Sequence, residues 1–243
     1  MTDPVSDDAP QTTSQPLEWR DGDMPYSSAF GDHFYCQTDG RLECSHVFLA
    51  GNGLPARWRE QTRFLIGELG FGTALNFCET WRQWKSERPA AAKLHFMSFE
   101  LYPMEAHEID RALSRWPEID AERRVLVARW PGAPQGLVSL HLDEQTQLTV
   151  VCGPAFDGVS AADPDFNAWF LDGFAPSRNA DMWSPELMKL VHDKTVPGGT
   201  FATYAAAGFV RRNLQAAGFA VERRKGFAGK REMLCGVKTI SAA

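Results

Sequence analysis

The chain has 243 residues, 44% of them hydrophobic and 23% charged, with a formal net charge of −6. That length suits one well-buried α/β domain with a small appendage, and no run of about 18 apolar residues is present to cross a membrane. The acidic balance argues against whole-protein attraction to nucleic acid. The five cysteines contain no C-x-x-C pair and read as reduced, mostly buried thiols of a cytoplasmic protein, while six scattered histidines argue against a metal site.

Residues 1–16 are polar and acidic, without the apolar segment of a signal peptide, and are predicted to be a disordered lead-in. Phe34-Tyr35-Cys36 and Val47-Phe48-Leu49 flank Thr38-Asp39-Gly40-Arg41, so residues 17–56 read as an N-terminal β-hairpin extension before a domain spanning 57–243. The first core strand, 63–67, runs into a glycine-dense turn, Gly67-Glu68-Leu69-Gly70-Phe71-Gly72-Thr73. Beyond the turn, Ala74, Phe77, Cys78, Trp81 and Trp84 recur at helical spacing. A second strand over 94–100 precedes a helix over Met104–Ser114. Pro117, Pro131 and Pro134 are expected to break any regular element through 117–136. Leu137–Leu142 and Gln147–Cys152 form a hairpin pattern around Asp143-Glu144-Gln145.

Ala168–Leu171 is a short apolar strand ending at Asp172-Gly173, and Pro185–His192 is helical. Pro197-Gly198-Gly199 turns into the strand Thr200–Tyr204, and Gly218 stops the helix Gly208–Ala217. Phe219–Arg224 and Glu232–Val237 close the chain and, joined by a short glycine-containing loop, must be antiparallel. The fold expected is therefore Rossmann-like α/β: a mostly parallel sheet with an antiparallel final strand, the class I methyltransferase arrangement, plus a small N-terminal β-hairpin element.

Strand, glycine turn and helix together present backbone N–H groups to a nucleotide-like ligand. A dinucleotide fingerprint needs a third glycine where Leu75 stands, and an acid nearer than Glu100. Carboxylates before the glycines (Glu68) and after the second strand (Glu100) better suit S-adenosylmethionine, whose ribose hydroxyls and cationic end they can partner. A turn that merely packs strand on helix is the plainer alternative. Asp172-Gly173-Phe174-Ala175-Pro176 follows a strand end, where ligands sit in such sheets. This segment resembles the Asp/Asn-Pro-Pro-aromatic loop of methyltransferases that act on exocyclic amines. An amine with a lysine-like pKa of about 10 is mostly ammonium at neutral pH. A site for it must favour the neutral form; Asp172 can accept its N–H bonds, and Phe174 can wall a base. Asp172 could equally cap the segment that follows. Residues 208–238 hold eight basic side chains against two acidic ones, a local +6 in an acidic protein. That is either a solvated face or a phosphate-binding surface.

The turn at 67–73, Trp169–Pro176, Asn179-Ala180-Asp181-Met182-Trp183, Pro197-Gly198-Gly199-Thr200, Ala207-Gly208-Phe209-Val210-Arg211-Arg212 and Lys225-Gly226-Phe227 with Lys230-Arg231-Glu232-Met233-Leu234 are distinctive together. In order and coverage, from about Met24 to Val237, they resemble the methyltransferase unit of bifunctional bacterial enzymes that make 5-methylaminomethyl-2-thiouridine in tRNA. The resemblance implies S-adenosylmethionine-dependent methylation of wobble 5-aminomethyl(-2-thio)uridine. By motif, Glu68, Gly70, Phe71, Gly72, Thr73, Asn76, Glu100 and Asp172 are implied donor-binding positions, with Asp172 and Phe174 at the reacting amine. Arg211, Arg212, Lys225, Lys230 and Arg231 are implied to hold the phosphates of the anticodon loop. Two positions depart from the family pattern: Ala74 replaces a glycine, and Gly153-Pro154 replaces the Gly-Asp whose acid contacts adenine, leaving Asp157 or a backbone carbonyl for that contact. The bifunctional relatives add a flavin oxidoreductase module; no flavin and no metal are expected in this chain, though a separate or fused flavin module is implied as a functional partner. A methyltransferase for a small-molecule or protein amine, an NAD-dependent oxidoreductase, and a non-catalytic binding module are the rival readings.

Overall fold

A computed structural model describes residues 17–163 and 165–240, so the lead-in expected over 1–16 lies outside the described residues. Three short strands, β1 (Leu17–Arg20), β2 (Met24–Ser27) and β3 (Asp32–His33), pair antiparallel into a small sheet. The N-terminal β element is thus present, but upstream of the expected hairpin. Around Asp39-Gly40 the chain is helical instead: α1 (Gly40–Glu43) continues as a wide helical stretch to Leu49 and a tight turn over Ala50–Asn52. Asp39 is extended and its carboxylate accepts the Leu42 N–H at 3.1 Å, capping the helix. A short acid that accepts a nearby backbone N–H starts a helix as readily as it closes a turn, which is why Asp-Gly misled.

This stretch is not an appendage. Cys44, Val47, Phe48, Leu49, Leu54 and Trp58 are buried in the same core as Phe64, Phe77 and Phe170. Polar groups tie it down as well. The buried Asn52 amide donates to the carbonyls of Phe48 (2.9 Å) and Trp169 (3.1 Å), and its oxygen accepts the Thr200 hydroxyl at 2.6 Å. The Arg57 guanidinium donates to Thr200 Oγ1 and to the Asn52 and Asn167 carbonyls.

The main sheet has eight strands: β4 (Arg63–Leu69), β5 (Lys93–Glu100), β6 (Leu137–His141), β7 (Thr146–Cys152), β8 (Phe166–Leu171), β9 (Thr195–Thr203), β10 (Phe219–Lys225) and β11 (Glu232–Lys238), in the order β10-β11-β9-β8-β4-β5-β7-β6. The centre is parallel, and β6, together with the inserted β11, runs antiparallel to its neighbours. That is the Rossmann-like arrangement the sequence predicts. Helices α2 (Leu75–Glu87), α3 (Ala106–Leu113), α4 (Asp120–Arg129), α5 (Ala155–Ala161), α6 (Pro185–Asp193) and α7 (Gly208–Ala217) accompany the strands. Alternation along β8 sends Ala168 and Phe170 into one core and Trp169 and Leu171 into the other, as period-two geometry requires of a strand buried on both sides, while Phe166, across the register shift against β9, joins Trp169 and Leu171.

Three local details lay beyond the sequence reading. The prolines do break the stretch 117–136, as expected, but Pro117 and Pro131 leave room for a helix between them, α4. Helix α5, with only seven residues, gave no periodic signal. Pro197-Gly198-Gly199 lies within β9 as a bulge: Phe166 pairs with Thr195, but Ala168 pairs with Thr200.

Candidate active site

Strand register assembles the site. Leu69 pairs with Leu171 on one side and with Phe99 on the other, so the glycine turn, Asp172 and Glu100 all emerge side by side at the carboxyl ends of the strands. Gly70 and Gly72 have φ of +84° and +51°, angles open to glycine at little cost. A Cβ on Gly70 would only touch the Gly173 backbone, at 3.4 Å, so it is the φ of +84° rather than space that calls for glycine there. All five apolar positions of the predicted helical stripe are buried, which anchors α2 beneath the turn.

Above these strand ends lies a cavity of about 410 Å³. Glu100 lines it, with its two oxygens accepting the N–H groups of Gly72 (2.9 Å) and Tyr102 (2.8 Å). Asp172 accepts the Gly173 N–H at 2.8 Å and the Asn76 side-chain amide at 2.8 Å. The same Asn76 nitrogen donates to Glu68 at 3.0 Å, and the Ser98 hydroxyl donates to the other Glu68 oxygen at 2.7 Å. Burial pushes the Asp172 carboxyl up to about 7, against the opposing pull of the Gly173 and Asn76 hydrogen bonds. Burial also holds Glu68 well above the usual carboxylate range. Both acids are therefore poised to carry a proton where ordinary carboxylates would not.

The opposite side of the cavity comes from the N-terminal stretch and the β10–β11 loop. Phe174 stacks on Phe30 (centroids 4.6 Å apart, planes 20° apart) and meets Phe34 edge-on at 5.1 Å. Asp32 accepts the Ala175 N–H at 3.1 Å. Glu43 accepts the Cys36 N–H at 3.1 Å and pairs with Lys230 Nζ at 2.7 Å. That ammonium lies 4.1 Å from the centre of the Tyr204 ring, and the Tyr204 hydroxyl donates to the Gly173 carbonyl.

Of the predicted donor-binding residues, the structure brings Gly70, Phe71, Gly72, Thr73, Asn76, Glu100 and Asp172 to the cavity, with Phe174 beside them. Glu68 does not line it; fully buried, it braces Asn76 from below. Asp157 is exposed on the first turn of α5, directed there by the helix that begins after Pro154, and does not reach the cavity. Nor is Phe174 a free stacking surface, because Phe30 already covers it.

The basic stretch divides. Arg224 pairs with Glu222 and Arg223 with Glu232, and Lys238 donates to the carbonyls of His192 and Thr195. Arg212, Lys225 and Arg231 are exposed, and Arg211 is half-buried on α7. Lys230 faces the cavity rather than open solvent alone, held by Glu43. Asp32, Phe34, Glu43 and Tyr204 escaped sequence reasoning. The closeness of Phe30, Phe34 and Tyr35 was the available signal, since three aromatics in six residues need a surface to cover.

Comparison with known proteins bears on the family and the fold. A family model described as S-adenosyl-L-methionine-dependent methyltransferase matches residues 117–239, half of the chain. The chain is 45% identical over 226 residues to the tRNA 5-methylaminomethyl-2-thiouridine biosynthesis bifunctional protein MnmC of Chromohalobacter salexigens, covering 90% of this chain and 32% of that protein. With the protein of the same name from Marinomonas sp. it shares 42% identity over 236 residues, covering 96% and 35%. The chain thus spans about a third of the length of the curated relatives it matches. Its fold resembles the crystal structure of MNMC2 from Aquifex aeolicus, with a TM-score of 0.75 at 18% identity over 96% of this chain and 73% of that one.

Proposed function

The chain belongs to this family of S-adenosyl-L-methionine-dependent methyltransferases, and we propose that it methylates the aminomethyl nitrogen of wobble 5-aminomethyl(-2-thio)uridine in tRNA, giving 5-methylaminomethyl(-2-thio)uridine. The observation that carries the reading is Asp172, a cavity carboxylate with its pKa raised to about 7, set beside the glycine turn. The substrate arrives as an ammonium, and ammonium has no lone pair. An ordinary carboxylate lies about 6 pKa units below a lysine-like amine, and a carboxylate near 7 lies about 3 units below it. The raised value therefore eases proton transfer from nitrogen to Asp172.

The residues fit the methyl donor. Gly70 and Gly72 leave the turn open to close approach, Glu100 keeps free lone pairs for ribose hydroxyls, and Asp172 and Asn76 offer acceptors near the cationic end. When bound, S-adenosylmethionine supplies an electrophilic methyl on a sulfonium. The protein's own part is to bind and orient: Asp172 draws an N–H of the amine, and Phe174 and Phe34 wall the base. Anticodon-loop phosphates fall to Arg211, Arg212, Lys225 and Arg231, and extruding a base from that single-stranded loop costs little.

Among the described residues no helix is long and apolar enough to cross a membrane, and no three His, Cys, Asp or Glu side chains gather as metal ligands. A cytoplasmic setting follows from the tRNA substrate. A flavin oxidoreductase module, fused or separate, is the functional partner suggested by the bifunctional relatives. The test is methyl transfer to tRNA from cells lacking this activity, read by nucleoside mass analysis. Appearance of 5-methylaminomethyl uridine supports the reading; transfer only to small-molecule or protein amines overturns it.

A further inference from the structure

Lys230 was expected on an outer phosphate-binding surface, yet it sits at the cavity and pairs with a carboxylate. The Glu43 side chain is only 9% exposed, whereas Lys230 is 41% exposed. The pair joins two elements far apart in the chain, α1 and the β10–β11 loop, and both members line the same cavity as Asp172. Glu43 keeps one further partner, the Cys36 N–H. Lys230 keeps the Tyr204 ring, and through Tyr204 it touches the Gly173 carbonyl beside Asp172. Here is a salt bridge with one end buried in the substrate side of the cavity and the other open to solvent.

A nucleotide bearing an aminomethyl group on C5 of uracil is itself a zwitterion. In the anti conformation its C5 substituent lies on the same edge as its own 5′-phosphate. Such a molecule presents an anion and a cation at short separation, the mirror of Glu43 and Lys230. We propose that the Glu43–Lys230 ion pair is the recognition element for this zwitterion: Lys230 exchanges Glu43 for the 5′-phosphate of the target nucleotide, and the freed Glu43 carboxylate receives the substrate ammonium next to Asp172. The inference rests on the tRNA reading given above. It explains why Lys230 belongs in the cavity rather than with Arg212 and Arg231. It also assigns selection of the target to charge, since a wobble uridine without the amine would leave Glu43 stripped of its cation with only the Cys36 N–H as partner, a costly state for a buried carboxylate.

The experiment uses the full chain and hypomodified tRNA. K230M should raise KM for tRNA tenfold or more and lower the slope of log KM against log salt by about 0.7, the share of one single-strand phosphate. K230R should recover part of both. E43Q should cut kcat/KM at least tenfold while leaving the salt slope as in the wild type. In the charge-reversed double variant E43K/K230E the ion pair re-forms, so the melting temperature should recover but turnover should not. A purely structural bridge predicts the reverse: K230M with wild-type KM and salt slope, or a double variant that regains turnover along with stability. Either result overturns the proposal. If the wild-type protein methylates tRNA, those results count against the exchange alone; a wild type inactive on tRNA overturns the functional reading and this inference together.

Discussion

The two walls of the cavity neutralise their carboxylates in different ways. On the strand-end wall, Asp172 and Glu100 are held by uncharged donors: the N–H groups of Gly72, Tyr102 and Gly173 and the amide of Asn76. Among the described residues no cation forms an ion pair with either, so they retain lone pairs for hydroxyls and positive charge. On the facing wall, Glu43 is answered by a full charge, Lys230, and aromatic rings cover one another. The first wall is ready for a ligand as it stands. The second must give something up before it binds, and such a wall can discriminate among substrates.

The sharpest way to break this contrast is D172N, which keeps shape while removing the proton acceptor. It should lower kcat by about 10²–10⁴-fold, far more than it weakens S-adenosylmethionine binding, checked by single-turnover transfer and calorimetry. A loss under tenfold would reduce the strand-end wall to a binding surface. Next in size, F174A removes the ring that Phe30 and Phe34 pack against and so loosens the substrate wall, which should raise KM for tRNA several-fold. Equal loss of donor affinity would move Phe174 to the other wall.

Smaller effects probe stability. N76A takes a donor from both Glu68 and Asp172 and should cost about 1–3 kcal/mol in urea unfolding of the ligand-free protein. Because the Asp172 pKa is raised in the fold to about 7, from about 3.9 in the unfolded chain, its contribution favours the native state fully below pH 4 and is lost as pH rises through 7. Relative to the wild type, D172N should therefore gain stability between pH 4 and 7 and keep the gain above. With discount for the solvent that reaches this half-buried group, the gain is on the order of 1–2 kcal/mol. Melting curves across that range decide it. Least of all, Ala74 is left-handed, with φ +67°. A74G relieves about 1–2 kcal/mol of backbone cost but surrenders about 0.5–1 to chain entropy, so a net gain of no more than about 1.5 kcal/mol is expected from thermal melts.

The strand-end wall was legible because its parts are local. Glycines at 70 and 72 and acids at strand ends are written in consecutive residues, and parallel topology dictates where they meet. The opposite wall depends on long-range contacts: Phe30 on Phe174, Asp32 on Ala175, Glu43 on Lys230. No periodicity announces a pairing between residues 43 and 230. Even the local sign at Asp39-Gly40 pointed elsewhere, since a helix cap and a hairpin turn use the same short acid.

The Asn52 and Arg57 hydrogen bonds give the N-terminal stretch a further meaning. They weld the side that faces the substrate to the interior strands β8 and β9. Selectivity in this enzyme is therefore no detachable cartridge. Cutting the chain back to Arg63 would strip the hydrophobic interior of Phe48 and Trp58 along with the roof of the pocket, yielding aggregation rather than a broadened catalyst. Retargeting must proceed by single side chains on a shell that stays whole.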